Sequence, residues 1–318
     1  MRIASLQAAR AAGAAGAALL LSGCVVSGQP ASPAPSPSAR PSAGWSTSPP
    51  APTTAQLPRG GRTVFPAYRL VGFSGAPGSP ALGRLGVGDL DDRVAEIERV
   101  GKAYAQGRQV LPVLELIATV VQAAPGRDGM YRTRARPAVL DDYLAAARRH
   151  RGLLLLNIQP GRADFLDEVR SYERWLREPD VGVALDPEWA VGPGQLPGRV
   201  FGRTSGAELD RVAGWLAALV RRYGLPEKVM VYHQLHASIV AAPAALRPHT
   251  GVALVQSVDG IGSRGDKEAT WRRVVARKPP SAHPGFKLFY EEDRRHGRLM
   301  TPAQVLALRP TPEYVLYE

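Results

Sequence analysis

The sequence is short of cysteine, of acidic residues near its N-terminus and of long apolar runs. Cys24 is the only cysteine among the 318 residues, so the chain forms no disulfide within itself. The apolar run over residues 11–21 contains only Ala, Gly and Leu. It is too short to span a bilayer, which takes about 20 apolar residues. No acidic residue occurs before position 63.

The first 24 residues have the plan of a secretory signal. Arg2 and Arg10 are followed by the short apolar run. The run ends in Leu21-Ser22-Gly23-Cys24, which resembles the bacterial lipobox. That resemblance implies removal of residues 1–23 and attachment of a diacylglyceryl group to Cys24. We therefore expect a lipoprotein anchored to the outer face of the cell membrane, facing the cell wall or the extracellular space.

Residues 24–62 are predicted to be the lipidated cysteine and a disordered linker. From residue 25 onward the segment is rich in Pro, Ser, Ala, Gly and Thr and has almost no large apolar side chain. Such a composition buries too little surface to offset the entropy of ordering. In an extended form the linker could reach about 100 Å. A domain on such a tether could enter the cell-wall layer.

The charge balance suggests an anionic partner. The formal net charge is +12, and five arginines before position 63 leave +7 for the remaining chain. A basic domain outside the membrane is attracted to anionic headgroups and anionic wall polymers. We expect an anionic cell-envelope polymer or glycan as partner, with the membrane contacted through the lipid on Cys24. Nucleic acid is the poorer match in that compartment.

Residues 63–318 alternate between strand-like and helix-like segments. The strand-like runs are Tyr68–Phe73, Val110–Ile117, Gly152–Ile158, Val181–Leu185, Lys228–Tyr232, Gly251–Val255, Phe286–Tyr290 and Glu313–Tyr317. The helix-like segments are Asp89–Gln106, Val139–Arg149, Ala163–Arg177, Thr204–Tyr223, Ala237–Leu246, Asp266–Ala276 and Pro302–Leu308. This alternation predicts an α/β fold, a single (β/α)8 barrel of the TIM type. An open, doubly wound parallel sheet is the alternative.

Polar residues recur where the predicted strands end. In a (β/α)8 barrel the reactive groups project from these C-terminal ends. The residues in or just after strands two to seven that we expect to bind substrate are Glu115, Asn157, Gln159, Trp189, His233, Gln234, Asp259 and Glu292.

The fourth strand carries the clearest pattern. Side chains alternate along a strand, so Asp186 and Glu188 should both face the barrel axis, beyond the small residues Gly182 and Ala184. Two carboxylates on one face repel each other, which raises at least one pKa. A carboxyl group that stays protonated near neutral pH can act as the general acid of glycoside hydrolysis.

The stretch Gly182-Val183-Ala184-Leu185-Asp186-Pro187-Glu188 resembles the fourth-strand signature of barrel glycosidases, in both the chitinase-like and the lysozyme-like groups. The resemblance implies Glu188 as general acid and Asp186 as its partner. The large retaining group uses a second acid on strand seven, which points to Glu291 or Glu292, although the fourth strand here lacks the Asn-Glu step of that group. The chain departs from the chitinase pattern at Ala184, and from the lysozyme-like pattern around Ser74, where those groups have an acid.

The leading hypothesis is a membrane-tethered glycoside hydrolase acting on a cell-envelope polysaccharide, with Glu188, Asp186 and Glu291 as candidate catalytic residues. The alternative is a catalytically inactive barrel that binds envelope glycan or another envelope protein. No cofactor is expected. No metal is expected either, because His233 and His236 lack companion ligands at a recognised spacing.

Overall fold

Eight parallel strands form the centre of the computed structural model, which describes residues 54–318. They are β1 Tyr68–Gly75, β2 Gln109–Val121, β3 Leu153–Ile158, β4 Val181–Leu185, β5 Lys228–Gln234, β6 Val252–Val258, β7 His283–Leu288 and β8 Tyr314–Tyr317. Each strand pairs with the next, and β1 pairs with both β2 and β8. Leu70, for example, lies opposite Leu111 on one side and Tyr314 on the other. The sheet is therefore closed, and the predicted TIM-type barrel is confirmed over an open sheet.

Helices cover the outside of the barrel. They are α1 Leu90–Gly101, α2 Pro137–Arg149, α3 Phe165–Ser171, α4 Glu173–Leu176, α5 Gly206–Tyr223, α6 Arg264–Val275 and α7 Pro302–Leu306. Side-chain caps fix several of their starts: Ser205 accepts from the Glu208 amide at α5, and Ser263 forms a capping box with Asp266 at α6. Among residues 54–318 no helix is both long and apolar enough to cross a membrane.

The helix predicted over Ala237–Leu246, after β5, does not form. Two short 3-10 turns, Ala237–Ile239 and Pro243–Ala245, take its place, and a two-residue strand lies between them. Pro243 has no amide hydrogen, and Ala242 before it adopts a φ of 44°. A proline inside a helix removes a backbone hydrogen bond and clashes with the preceding turn. The prediction was therefore wrong at this position.

Strand alternation separates two apolar layers. The side chains that fill the barrel interior include Leu70, Leu111, Val113, Leu153, Leu155, Ala184, Val229, Val231, Ala253, Val255, Tyr314 and Leu316. Alternate residues on the same strands, such as Val183 and Leu185, pack against the helices instead. Gly182 lies so close to β5 that an added Cβ would be 2.4 Å from the carbonyl oxygen of Val229. The small residues that precede Asp186 thus allow neighbouring strands to close the barrel.

The end of the barrel at which the strands begin is filled by residues that precede β1. Leu57 and Val64 are buried in the interior apolar cluster. Arg59 donates to the carbonyl oxygen of Val110 at 2.8 Å, and Arg62 donates to that of Leu225 at 2.7 Å. Residues 57–62, which we assigned to the linker, are therefore packed as part of the domain, because Leu57 and the two arginines have partners there. The predicted signal sequence, Cys24 and the linker up to residue 53 lie outside the described residues.

Candidate active site

One polar layer occupies the opposite end of the barrel, where the strands finish. Each of the eight strands contributes an inward-facing polar side chain, which lies at or just beyond the last residues on seven strands and, as Glu115, in the middle of the long strand β2. We call the following residues the polar layer: Ser74, Glu115, Asn157, Asp186, His233, Ser257, Asp259, Lys287 and Glu318. All except Glu318 are buried. Alternation places them there, since nearly all follow an interior apolar residue of their strand by two or four positions.

His233 lies between two carboxylates in this layer. Its Nδ1 is 2.7 Å from Asp259 Oδ2, and its Nε2 is 3.0 Å from Glu115 Oε1. The first contact is a hydrogen bond, whereas the second is an ion-pair contact outside hydrogen-bonding geometry. Glu115 also accepts hydrogen bonds from Asn157 Nδ2 at 3.0 Å and from the Tyr314 hydroxyl at 2.7 Å. Buried charges require such paired and hydrogen-bonded surroundings.

Lys287 connects the same network to the end of β8. Its Nζ is 2.6 Å from Glu318 Oε2 and 3.6 Å from Asp259 Oδ2. Ser74 donates to Glu318 Oε2 at 3.1 Å, and Ser257 donates to Asp259 Oδ1 at 2.8 Å. His233 and Lys287 are the two cations of the polar layer. All of their ion-pair contacts with described residues are made with carboxylates of this layer.

Asp186 and Glu188 stand apart from this ion-pair network. Asp186 is only 5% exposed, forms no ion pair with a described residue, and its Oδ1 is buried without a hydrogen-bond donor. Its amide continues the pairing with β3 by donating to the carbonyl oxygen of Ile158 at 3.0 Å. Glu188 follows in the 3-10 turn Pro187–Trp189 and is partly exposed. The pair therefore runs from the buried layer to the opening of the barrel.

The pKa values of this pair are raised. Burial raises the pKa of Asp186 to about 6, and the nearby Asp259 and Glu318 add to the effect while His233 and Lys287 oppose it. The pKa of Glu188 is raised well above its ordinary value by its low-dielectric surroundings and by repulsion from Asp186 and Asp259. Burial and mutual repulsion therefore both favour the protonated form of this coupled pair.

In the ion-pair network the carboxyl pKa values of Glu115 and Asp259 are lowered, in contrast to those of Asp186 and Glu188. Burial alone would raise the pKa of Asp259 and of Glu115, but His233 and Lys287 outweigh it, so both carboxyl pKa values are lowered. Burial would likewise lower the pKa of His233, but Asp259 and Glu115 raise it well above its ordinary value. The site thus combines carboxylates whose ionised form is favoured by cations with a carboxyl pair whose protonated form is favoured by burial and repulsion.

The structure brings together many of the residues predicted to bind substrate. Glu115, Asn157, His233 and Asp259 all belong to the polar layer. Gln159 is buried just beyond β3 and accepts a hydrogen bond from the Val121 amide at 3.2 Å.

Gln234 faces the other side of its strand. Its Oε1 accepts a hydrogen bond from Gln256 Nε2 at 2.8 Å, and its Nε2 donates to the carbonyl oxygen of His236 at 3.1 Å. Because His233 points inward, strand alternation turns its neighbour Gln234 toward the outer layer. Gln234 is therefore not part of the polar layer.

Three further predicted residues lie on the loops around the opening. Trp189 is partly exposed at the end of the turn that contains Glu188. The Glu291 side chain is 79% exposed and lies 3.6 Å from Arg295, and Glu292 is partly exposed one residue later. Strand β7 ends at Leu288 and not at Tyr290, so Glu291 lies outside the polar layer.

The residues that the sequence did not assign to the site are Ser74, Ser257, Lys287, Tyr314 and Glu318. Lys287 is a lone charged residue in the run Phe286-Lys287-Leu288-Phe289, a pattern that marks an inward polar side chain once the alternation is known. The later strand boundary that we predicted for β7 directed attention to Glu291 instead. Glu318 follows the interior residue Leu316 by two positions, which is the same signal at the end of β8.

No three or more His, Cys, Asp or Glu side chains within residues 54–318 form a group that could hold a metal ion. His236 is exposed and bonds Ser238 through Nδ1, away from the contacts of His233. In comparisons with known proteins, no family model matches the chain, and no curated protein matches it.

Proposed function

We propose that the barrel is a glycoside hydrolase that acts on a cell-envelope polysaccharide, with Glu188 as general acid. The observation that carries this proposal is the carboxyl pair Asp186 and Glu188, which lies at the barrel opening with raised pKa values. Cleavage of a glycosidic bond needs a carboxyl group that is protonated at the working pH and reachable by substrate. Glu188 is the member of the pair that is partly exposed.

Asp259 supplies the complementary charge. Burial opposes its ionisation, yet its pKa is lowered by His233 and Lys287, so it remains a carboxylate under conditions in which Glu188 is protonated. When the surroundings of two carboxyl groups separate their pKa values, the group with the higher pKa can act as general acid and the other can stabilise positive charge. In this proposal Asp259 stabilises the positive charge that develops on the sugar ring.

Unpaired buried acceptors on β3 and just after β4 also suit a polyhydroxylated ligand. Asn157 Oδ1 and Asp186 Oδ1 are both buried and have no donor among the described residues. Buried polar atoms are nearly always hydrogen-bonded in proteins, so these two oxygens are suited to donors from a ligand. Sugar hydroxyls are such donors, and the two residues stand at the ends of adjacent strands.

The chemical step follows from these assignments. Glu188 transfers its proton to the glycosidic oxygen as the bond to the anomeric carbon breaks. Water adds to that carbon and loses a proton to the solvent, and Glu188 regains its own proton from the solvent. Asp186 keeps the pKa of Glu188 high by repulsion. The lipid anchor implied for Cys24, the tether and the basic surface support an envelope polymer as substrate, on the outer side of the cell membrane.

A barrel that binds envelope glycan or an envelope protein without cleaving it is the second candidate. The observation that favours it is the engagement of Glu115 and Asp259, which are both buried and paired with His233. Such pairing restricts their freedom to attack a sugar or to activate water. The two candidates differ in whether any glycosidic bond is broken.

The test is incubation of residues 54–318 with isolated cell-envelope polymers, followed by measurement of new reducing ends. We expect hydrolysis by the parent protein and a loss of about 100-fold or more in Glu188→Gln, which keeps the shape but removes the transferable proton. Asp186→Asn should lose less, because it only lowers the pKa of its neighbour. Glu173→Gln, which affects an ion pair with Arg177 on a surface helix, is the matched control and should retain full activity.

An inactive parent that still binds the polymers would favour the second candidate. Equal activity of the parent and Glu188→Gln would contradict the assignment of the acid.

A further inference from the structure

The exposed large apolar side chains of residues 54–318 are confined to one end of the barrel. They are Leu196, Val200, Phe201 and Ile261, between 41% and 50% exposed, and we call these four residues the mouth rim. Three of them lie in the loop between β4 and α5, and Ile261 lies in the loop between β6 and α6. Both loops leave the C-terminal ends of their strands, so the mouth rim borders the opening that contains Glu188.

The loop between β4 and α5 is attached to the site. The Gly202 amide donates to the carbonyl oxygen of Glu188 at 2.6 Å, and the Arg203 amide donates to that of Ala190 at 2.9 Å. Arg162, in the loop after β3, donates to the carbonyl oxygen of Gln195 at 2.7 Å. These bonds fix the backbone on both sides of Leu196, Val200 and Phe201, so their exposure is part of the folded arrangement.

Ile261 is held outward in a similar way. The carbonyl oxygen of Gly260 accepts a hydrogen bond from Lys267 at 2.6 Å, and the amide of Gly262 donates to Asp293 at 3.1 Å. Lys267 and Asp293 are themselves a buried ion pair with an N to O distance of 2.9 Å. The backbone on either side of Ile261 is therefore anchored inward while its side chain remains in solvent.

Positive charge accompanies the apolar side chains. Arg199 and Arg203 are exposed, and neither forms an ion pair with any residue in the described part of the chain. The sequence from 189 to 207 contains no acidic residue. Apolar side chains flanked by arginines are suited to a membrane interface, where binding grows with buried apolar area and with attraction to anionic lipids.

We propose that the mouth rim docks onto the surface of an anionic lipid bilayer, with Leu196 and Phe201 inserted among the lipids and Arg199 and Arg203 at the headgroups. Three of the four rim residues are aliphatic and offer neither hydrogen bonds nor a ring face to a sugar. A second copy of this chain would bring arginines against arginines. Neither lipidation of Cys24 nor the proposed hydrolysis is needed for this docking.

Residues 54–318 provide the test, since they form one compact unit whose barrel closes on itself, and the fragment lacks Cys24. The fragment is sedimented with vesicles made of equal parts of phosphatidylglycerol and phosphatidylcholine, and with vesicles of phosphatidylcholine alone. We expect partitioning about tenfold or more stronger onto the anionic vesicles. Leu196→Ser with Phe201→Ser should lower it by about tenfold or more.

The charge control uses matched variants with the same net charge. Arg199→Ser with Arg203→Ser should weaken binding about 30-fold, as expected for the loss of two headgroup contacts. Arg221→Ser with Arg272→Ser removes two exposed arginines near the C-terminal ends of α5 and α6, and should leave binding unchanged.

Three results would overturn the proposal. They are equal binding to both kinds of vesicle, full binding by the Leu196→Ser and Phe201→Ser variant, and equal loss in the two arginine variants. A rim-dependent dimer, or rim-dependent retention on a glycan without vesicle binding, would also contradict it and would identify the other occupant.

Discussion

Asp186 is a carboxyl group buried without a cation bonded to it. Its neighbours include the acids Glu188, Asp259 and Glu318, whereas His233 and Lys287 each contact other carboxylates. Burying a charge in this way costs free energy, which the group avoids in part by keeping its proton. The buried Asp186 therefore lowers the stability of the domain while it favours a bound proton, and such losses of stability are common at active sites.

Asp186→Asn should stabilise the domain at neutral pH. The folded state binds the Asp186 proton more tightly than the unfolded chain, in which Asp titrates near 4. The stability due to the protonated form is thus present below about pH 4 and is lost as the pH rises through about 6. Urea unfolding should show the variant more stable at pH 7 by about 1–3 kcal/mol, with the difference disappearing at about pH 4.

The same unfolding measurement can contradict this account. A variant that is destabilised at pH 7 but not at about pH 4 would show that Asp186 makes favourable contacts as an anion, and its raised pKa would then have no basis.

The inward residues of β4 could be predicted from the sequence because the strand boundaries were correct. Val181–Leu185 was predicted with the bounds that the structure has, so alternation placed Asp186 on the axis side. On β7 the predicted strand began three residues late, since Pro284 and Gly285 weaken the strand pattern at its start. That shift hid Lys287 and favoured Glu291. Ion pairs between strands distant in sequence, such as Glu115 with His233, were not predictable from local patterns.

At the scale of elements, the loops around the opening are fixed by buried polar contacts. The ion pair of Lys267 with Asp293 joins α6, which follows β6, to the loop after β7. Asp293 accepts hydrogen bonds from the amides of Gly262 and Phe289 at 3.1 and 3.0 Å. One buried carboxylate thus orients the chain that follows Asp259, which has a proposed role in the reaction.

Asp293→Ala should be strongly destabilising and should loosen these loops. Removal of one partner leaves the Lys267 charge buried and unpaired, which costs about 3–5 kcal/mol. Hydrogen exchange at the Gly262 and Phe289 amides should accelerate more than exchange in the barrel strands. Glu268→Ala, which breaks a partly exposed pair with Arg264, is the control and should change stability by less than about 1 kcal/mol. A loss in Asp293→Ala as small as in the control would refute the role of this ion pair.

The helices show which boundaries can be predicted from local sequence patterns. Those with a clear cap and an apolar face, such as α5 with Ser205 and Gly224 at its ends, were predicted within about two residues. The segment after β5 has a comparable share of Ala and Leu, yet Pro243 and the pairing of Val240–Ala241 with Thr204–Ser205 prevent a helix. Tertiary pairing decided the structure there.

At the scale of the whole domain, the barrel has one filled end and one polar end. Residues 57–65 pack into the end where the strands begin, and the polar layer with its rim lies at the other. The composition of residues 57–62 resembles that of the preceding linker, so the predicted domain boundary falls a few residues after the packed segment begins. Only the three-dimensional contacts of Leu57 and Arg59 identify these residues as part of the fold.

A fragment that starts at residue 63 should be less stable than one that starts at residue 54. It lacks the buried Leu57 side chain and the hydrogen bonds of Arg59 and Arg62. Loss of a buried leucine side chain typically costs about 2–5 kcal/mol. Thermal and urea unfolding of the two fragments measure the difference, with Leu57→Ala in the longer fragment as the matched variant. Equal stability of both fragments would show that these residues contribute nothing to the fold.

A carbon-13 NMR titration of the Asp and Glu carboxyl groups tests most directly whether the barrel opening holds a carboxyl group that is protonated near neutral pH, and it requires no knowledge of the substrate. Signals assigned through Asp186→Asn and Glu188→Gln should include one that titrates at about 6 or above. In Asp186→Asn, Glu188 should titrate lower than in the parent, because the repulsion from Asp186 is gone. If both carboxyl groups of the parent titrate near 4, the usual range for such groups, the acid role and the proposed hydrolysis lose their physical basis.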